Sequence, residues 1–292
     1  MFARRRYRLG LPSRTLRLGE RTLIMGILNV TPDSFYFGGR FPDAQLAIER
    51  AFELEKAGAD IIDIGGESTR PGADPISADE EIGRILPVLE GLQGKLRVPI
   101  SLDTQKVAVA EVGLRNGVGI INDVSGLRTD SLLAHLVKSR GAALILMHMR
   151  GAPRSMHKGP FARNVIRDIV QGLGASIAVA RRAGIAESKL LVDPGIGFGK
   201  NYKQNFQVLA RLPELAGLGY PLVVGASRKA FIGWALARKG QVWPAEKREW
   251  GTAAAITAAI LNGAHIVRVH DVNEMSQVVH IADSILSVVR RT

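Results

Sequence analysis

Short apolar runs alternate along the chain with longer segments in which apolar residues recur at helical spacing. The joins between them are rich in Gly, Asp, Asn and Ser, which are typical of turns. The apolar runs predict strands at residues 23–28, 60–64, 98–102, 119–121, 142–147, 189–192, 221–224 and 265–269. The segments between them predict helices at residues 43–57, 78–92, 105–116, 131–139, 165–183, 205–212 and 252–262.

The eight runs are almost continuous in Val, Ile and Leu, a pattern typical of parallel strands that helices cover on both faces. Eight strands that alternate with helices fit an α/β fold of the (β/α)₈ TIM barrel type, which usually takes about 250 residues. A doubly wound open sheet is the structural alternative. No interior segment has the composition of a linker, so we predict a basic N-terminal extension at residues 1–21 and a single barrel domain at residues 22–292.

The net charge of +12 is concentrated at the start of the chain. Residues 1–21 hold seven arginines and one acid, Glu20, and the remaining excess is scattered. Nucleic-acid binding usually needs a basic stripe with interleaved aromatic residues, whereas aromatic residues make up 5% of this chain. The charge therefore favours a solvated Arg-rich tail and a site for small anions, with no nucleic acid as partner.

The chain contains no cysteine, which excludes disulfides and thiolate nucleophiles. Its first residues lack the apolar core of a secretory signal peptide. No apolar run approaches the roughly 18–20 residues that a membrane span requires. We therefore expect a cytoplasmic protein without membrane association.

Polar and charged residues follow most of the predicted strands. In a (β/α)₈ barrel the carboxyl ends of the strands converge on one mouth, where active sites are built. The residues at these ends are Asn29, Glu67, Ser68, Thr69, Arg70, Asp103, Asn122, Asp123, His148, Asp193, Ser227, Arg228, Lys229, Arg268 and His270. A merely structural barrel does not need so many polar groups at one face, so this mouth is the predicted active site.

The chemistry of these residues indicates two neighbouring sites. Asp103, Asn122 and Asp193 supply hydrogen-bond acceptors and one amide, and Lys229 adds donors, which suits a flat heterocycle with an amino-pyrimidinone edge. Arg268 and His270 are two residues apart on a strand and should project to the same side. Together with Asn29, they would suit a phosphate group and a magnesium ion, although the Arg268 guanidinium could instead stack on the heterocycle.

Seven ordered motifs resemble the successive signatures of the dihydropteroate synthase family of pterin-binding barrels. They span nearly the whole chain and stand at residues 25–35 (MGILNVTPDSF), 65–72 (GGESTRPG), 101–103 (SLD), 121–123 (IND), 193–198 (DPGIGF), 227–229 (SRK) and 268–271 (RVHD). The resemblance implies an enzyme that joins 6-hydroxymethyl-7,8-dihydropterin diphosphate to p-aminobenzoate and releases diphosphate, and it implies a homodimer packed through late barrel helices.

The resemblance also implies roles for individual residues. The pterin diphosphate would be bound by Thr69, Asp103, Asn122, Met147, Asp193, Phe198, Gly225, Lys229, Arg268, Val269 and His270. The p-aminobenzoate would be bound by Arg70, Pro71, Phe198, Ser227 and Lys229. Catalysis would fall to Asp33, Thr69, Arg70 and Lys229, with Asn29 as the Mg²⁺ ligand.

One position departs from the family pattern. The first loop of the family usually continues Asp-Ser-Phe-Ser-Asp-Gly-Gly, whereas here Phe37 stands in place of the second acid. Asp33 would then be the remaining carboxylate of that loop. Two other functions stay open at this point, a pterin-dependent methyltransferase of the same barrel type and a basic nucleic-acid-binding protein.

Overall fold

The computed structural model describes residues 4–31, 43–68, 74–151, 156, 158–237 and 240–289. Its strands are Tyr7–Gly10 (β1), Thr15–Leu18 (β2), Leu23–Asn29 (β3), Ile61–Gly65 (β4), Ile100–Asp103 (β5), Ile120–Asp123 (β6), Ala143–Met147 (β7), Leu190–Asp193 (β8), Val223–Val224 (β9) and Ile266–Val269 (β10). Its α-helices are Ala44–Lys56 (α1), Ala78–Leu92 (α2), Val107–Arg115 (α3), Leu132–Arg140 (α4), Val165–Arg182 (α5), Tyr202–Ala210 (α6), Ala230–Ala235 (α7), Glu249–Leu261 (α8) and Val272–Val289 (α9).

The strands β3 to β10 form one parallel barrel in which each strand is followed by a helix, so the (β/α)₈ prediction is confirmed. Seven ladders join them in the order β8-β7-β6-β5-β4-β3-β10-β9. A parallel bridge between Val192 and Leu222 joins the two ends of that order. This closure rules out the open, doubly wound sheet. All eight predicted runs correspond to barrel strands, with bounds that differ by at most two residues.

The N-terminal residues differ from the solvated tail that their arginines suggested. Strands β1 and β2 pair antiparallel, and Leu9 and Leu18 are buried in one cluster with the first residues of several barrel strands. Arg4 is also buried, and its guanidinium donates to the Asp283 carboxylate at 2.5 Å and to the Ala264 carbonyl at 3.0 Å. The hairpin therefore covers the amino-terminal end of the barrel, with its apolar side chains inward and most of its arginines in solvent.

The C-terminal helix α9 was absent from the predicted segments. Its buried residues Val272, Met275, Val279, Ala282 and Leu286 recur every three or four positions, so one face of the helix packs against the barrel. Within the described part of the chain, no helix is both long and apolar enough to span a bilayer.

Candidate active site

A cavity of about 530 Å³ opens at the carboxyl ends of the barrel strands. The predicted site residues that line it are Asn29, Ser68, Asp103, Asn122, Met147, Asp193, Phe198, Gly225, Ser227, Arg228, Lys229, Arg268 and His270. Val269 is fully buried and does not line the cavity. The predicted residues Asp33, Thr69, Arg70 and Pro71, together with Phe37, lie outside the described residues.

Two carboxylates hold the Arg268 guanidinium at one side of the cavity. Its Nε donates to Asp63 Oδ2 at 2.6 Å, and its Nη2 donates to Asp103 Oδ2 at 2.8 Å. Burial raises the pKa of Asp103 to about 7, because desolvation of the carboxylate outweighs the attraction of Arg268. Arg268, which we expected to meet an anion, is therefore paired with Asp103, one of the two carboxylates predicted to bind the pterin.

Asp193 ends strand β8 and is held by the turn that follows it. The backbone N–H of Gly195 donates to Asp193 Oδ1 at 2.6 Å. Burial nevertheless raises the pKa of Asp193 to about 6, with the Gly195 N–H and then Lys229 opposing the shift. Gly195 has a φ of +66°, and a Cβ there would lie 1.9 Å from the His148 carbonyl oxygen, so the turn requires glycine.

Lys229 lines the same cavity as the residues that were predicted to bind the pterin, Asp103, Asn122 and Asp193. Its Nζ lies 4.0 Å from the ring centroid of Phe198, a cation–π contact. Burial, followed by repulsion from Arg268, lowers the pKa of Lys229 to about 8. Phe198 and Met147 belong to a small apolar cluster with Val124, Met149 and Met156, and all of its members except Met149 line the cavity as a hydrophobic wall.

Ser227 and His270 come together at the rim near strands β9 and β10. The Ser227 hydroxyl lies 3.0 Å from His270 Nδ1, and the backbone N–H of His270 donates to the same hydroxyl at 3.3 Å. Arg228 has a φ of 56° and its Nε donates to Asp271 at 2.9 Å. The backbone N–H of Arg228 donates to Thr252 Oγ1, which fixes this turn against helix α8.

Sequence reasoning missed two buried charged residues that support the site. Asp63 lies on strand β4 behind the cavity, where it contacts Arg268 and Asn122. Lys200 lines the cavity although its side chain is buried, and its Nζ donates to the carbonyls of Gly195 and Phe198 at 2.9 and 3.0 Å. A charged residue inside an apolar run was a visible signal for Asp63, whereas Lys200 stood among glycines without a distinguishing pattern.

The cavity combines a polar floor with an apolar wall. Carboxylate and amide groups on β5, β6 and β8 converge with two cations on the space above the strands. Such a site can bind a flat, donor-bearing heterocycle and, next to it, a group with negative charge. In the described ranges, no group of three or more His, Asp or Glu side chains is arranged to hold a metal ion.

The barrel and its cavity define a small-molecule enzyme with its active site at the carboxyl ends of the strands. The family described as pterin binding enzyme matches residues 25–270. The dihydropteroate synthase of Synechocystis sp. is 44% identical over 267 residues, which cover 91% of this chain and 91% of the relative.

Solved structures agree with this match. The dihydropteroate synthase of Clostridium difficile, crystallised in the presence of pteroic acid, is 43% identical with a TM-score of 0.85 over 92% of this chain and 98% of that chain. The Xanthomonas albilineans dihydropteroate synthase with 4-aminobenzoic acid is 38% identical with a TM-score of 0.88 over 97% of this chain and 99% of that chain. The chain therefore belongs to the pterin-binding enzyme family and, within it, to the dihydropteroate synthases. The comparisons give no support to a methyltransferase or to a nucleic-acid-binding protein.

Proposed function

We propose that this chain condenses 6-hydroxymethyl-7,8-dihydropterin diphosphate with p-aminobenzoate to give 7,8-dihydropteroate and diphosphate, a step of folate biosynthesis. The observation that carries the proposal is the convergence of Asp103, Asn122, Asp193 and Lys229 on one cavity. The two carboxylates suit the amino and ring N–H donors of a pterin, and Lys229 suits its carbonyl oxygen. Membership of the dihydropteroate synthases supports the same substrates.

The reaction is a substitution at the methylene carbon of the pterin. The C–O bond to diphosphate breaks with its electron pair on oxygen, and the pterin ring shares the developing positive charge. The amine nitrogen of p-aminobenzoate then forms the C–N bond and loses a proton to solvent. Positioning and charge stabilisation carry such a reaction without a strong nucleophile on the protein.

The residues divide between the two halves of this reaction. Asp103, Asn122 and Asp193 would hold the pterin ring, with Met147 and Phe198 against its faces. Arg268 and His270 would meet the leaving diphosphate, and Ser227 would orient p-aminobenzoate. Asp33, Thr69, Arg70 and Pro71, which follow β3 and β4 in the sequence, would complete the site.

Magnesium belongs to the proposal as a bound ion that neutralises the charge of the leaving diphosphate. Asn29 lines the cavity and offers a hard amide oxygen, which fits Mg²⁺. A single protein ligand is compatible with this ion, because Mg²⁺ keeps several waters and usually shares substrate phosphate oxygens. Asn29 would hold the ion, while Arg268 and His270 would contact the phosphate oxygens directly.

A homodimer in the cytoplasm completes the proposal. Large apolar side chains are exposed on late helices, among them Phe206 on α6, Trp234 on α7 and Trp250 on α8, of which Trp250 is 82% exposed. Exposed aromatic residues of this kind are enriched at protein interfaces, which supports packing through these helices. Analytical ultracentrifugation should give a dimer, and Trp250→Glu should shift it toward monomer.

An assay of diphosphate release tests the proposed reaction. We expect release from the pterin diphosphate to require both p-aminobenzoate and Mg²⁺, with 7,8-dihydropteroate as the stoichiometric second product. Release that proceeds equally well without p-aminobenzoate would mean that the chain is a diphosphatase.

A further inference from the structure

Asp63 is a buried carboxylate on strand β4 that does not line the cavity. Its Oδ2 atom accepts two hydrogen bonds, from Arg268 Nε at 2.6 Å and from Asn122 Nδ2 at 3.1 Å. Arg268 lies on β10 and Asn122 on β6, and each of these strands is separated from β4 by one intervening strand. Side chains of alternate strands share one layer inside such a barrel, so the three groups meet at the same level.

The hydrogen bond to Asp63 fixes the orientation of the Asn122 side-chain amide, with Nδ2 directed at Asp63. An amide turned by 180° would point its oxygen at the carboxylate oxygen of Asp63, and two acceptors without a proton between them repel. Asn122 is itself buried, so water does not relieve that repulsion. Asp63, which does not line the cavity, therefore determines how the donor and the acceptor of the Asn122 amide are arranged toward a ligand.

The same carboxylate oxygen fixes the plane of the Arg268 guanidinium. Arg268 uses Nε for Asp63 and Nη2 for Asp103, and these two donors belong to one rigid planar guanidinium group. Two carboxylates on two strands thus determine both where the cation lies and how it is rotated. A guanidinium held in this way loses little conformational freedom when a ligand binds.

We propose that Asp63 is a positioning residue that acts through Asn122 and Arg268, and that it raises the affinity of the cavity for the pterin ring without touching the ring. The proposal rests on the function proposed above, since it assumes that the ligand of this cavity is a pterin. Asp63 supplies one oxygen atom, Oδ2, that accepts from both Asn122 and Arg268. An amide oxygen at the same place should serve nearly as well as the carboxylate.

The test compares Asp63→Asn, which keeps an acceptor, with Asp63→Ala, which removes it. Binding of 6-hydroxymethylpterin is measured by calorimetry and the melting temperature by circular dichroism. We expect Asp63→Ala to weaken binding at least tenfold and Asp63→Asn to weaken it no more than threefold. With saturating pterin diphosphate, the KM for p-aminobenzoate should stay within twofold in both variants. If Asp63→Ala does not fold, Asp63→Leu, which has a similar shape and no acceptor, takes its place.

A double-mutant cycle with Asn122→Ala tests whether Asp63 acts through Asn122. In the Asn122→Ala background, Asp63→Ala should raise the logarithm of the Kd for 6-hydroxymethylpterin by less than half as much as it does in the parent protein. Additive losses would overturn the proposal, and so would equal losses in Asp63→Asn and Asp63→Ala, which would assign the effect to charge alone.

Asp283→Ala is the matched control. Asp283 pairs with an arginine as Asp63 does, but at the amino-terminal end of the barrel, where it accepts from the Arg4 guanidinium at 2.5 Å and from the backbone N–H of Thr22 at 2.6 Å, and it does not line the cavity. We expect its binding of 6-hydroxymethylpterin to stay within twofold of the parent. Failure of the parent protein to bind the pterin would refute the proposed function, whereas parental binding by the Asp63 variants that lack the acceptor would refute only the role of Asp63.

Discussion

Lys200 Nζ lies 3.1 Å from His148 Nδ1, and both side chains are buried between the cavity and helix α5. His148 Nε2 lies 3.4 Å from the carboxylate of Asp168 on that helix. Burial, and then repulsion from Lys200, lowers the pKa of His148 to about 2, so the ring is neutral. A neutral ring with its proton on Nε2 accepts from Lys200 and donates toward Asp168, and this chain of contacts links the turn after β8 to α5.

The neutral state of His148 predicts a loss of stability in acid. The unfolded chain takes up a proton near the ordinary histidine pKa of 6.5, whereas the folded protein does so only near 2. Stability from this group is therefore complete above pH 6.5 and is lost as the pH falls below it. Urea unfolding should show a decrease of about 1 kcal/mol from this group between pH 7.5 and pH 5.5. His148→Gln should remove that decrease, and the exposed His280 serves as control through His280→Gln.

Lys200 should hold the turn that carries Gly195 and Phe198. Lys200→Met keeps the length of the side chain but leaves two carbonyl groups without their donor, and each unpaired buried group costs about 1–3 kcal/mol. Burial also lowers the pKa of Lys200 to about 7, so the loss of the buried ammonium offsets part of this cost. We expect a net decrease in the free energy of unfolding, measured in urea, and weaker pterin binding. The exposed Lys203 provides the matched variant Lys203→Met, which should change neither quantity.

Asp193 should make pterin binding depend on pH. Its pKa of about 6 in the empty cavity means that the acceptor form decreases as the pH falls through that value. Calorimetry with 6-hydroxymethylpterin should give at least tenfold weaker binding at pH 5 than at pH 7, with about tenfold of the loss coming from Asp193. Asp193→Asn replaces an acceptor by a donor and should weaken binding at least tenfold at pH 7. A residual pH dependence in this variant would point to Asp103, whose pKa is about 7.

The N-terminal hairpin should stabilise the barrel without affecting the chemistry. Leu18 is fully buried in the cluster at the amino-terminal end of the strands, opposite the cavity. Leu18→Ala should lower the free energy of unfolding by about 2–5 kcal/mol. Pterin affinity at 15 °C should stay within twofold, and the exposed Arg17→Ala should change neither property. A large loss of affinity in a folded Leu18→Ala protein would show that the two ends of the barrel are coupled.

The sequence by itself determined the eight strands, favoured a closed barrel over an open sheet and located most of the polar residues that line the cavity. Strands buried on both faces must be apolar along their whole length, and the polar residues directly after them stand out for that reason. Asp103, Asn122 and Asp193 could therefore be placed at one mouth before any contact was known.

Only the tertiary structure placed Asp63, Lys200 and the N-terminal hairpin. The partners of Asp63 lie 59 and 205 residues away in the chain, and those of the Lys200 ammonium include His148, 52 residues away. Local patterns report whether a segment forms a strand or a helix, because backbone geometry repeats over a few residues. They do not report which buried charges meet across a closed barrel or whether an arginine-rich segment packs against its base, since both depend on how distant strands align.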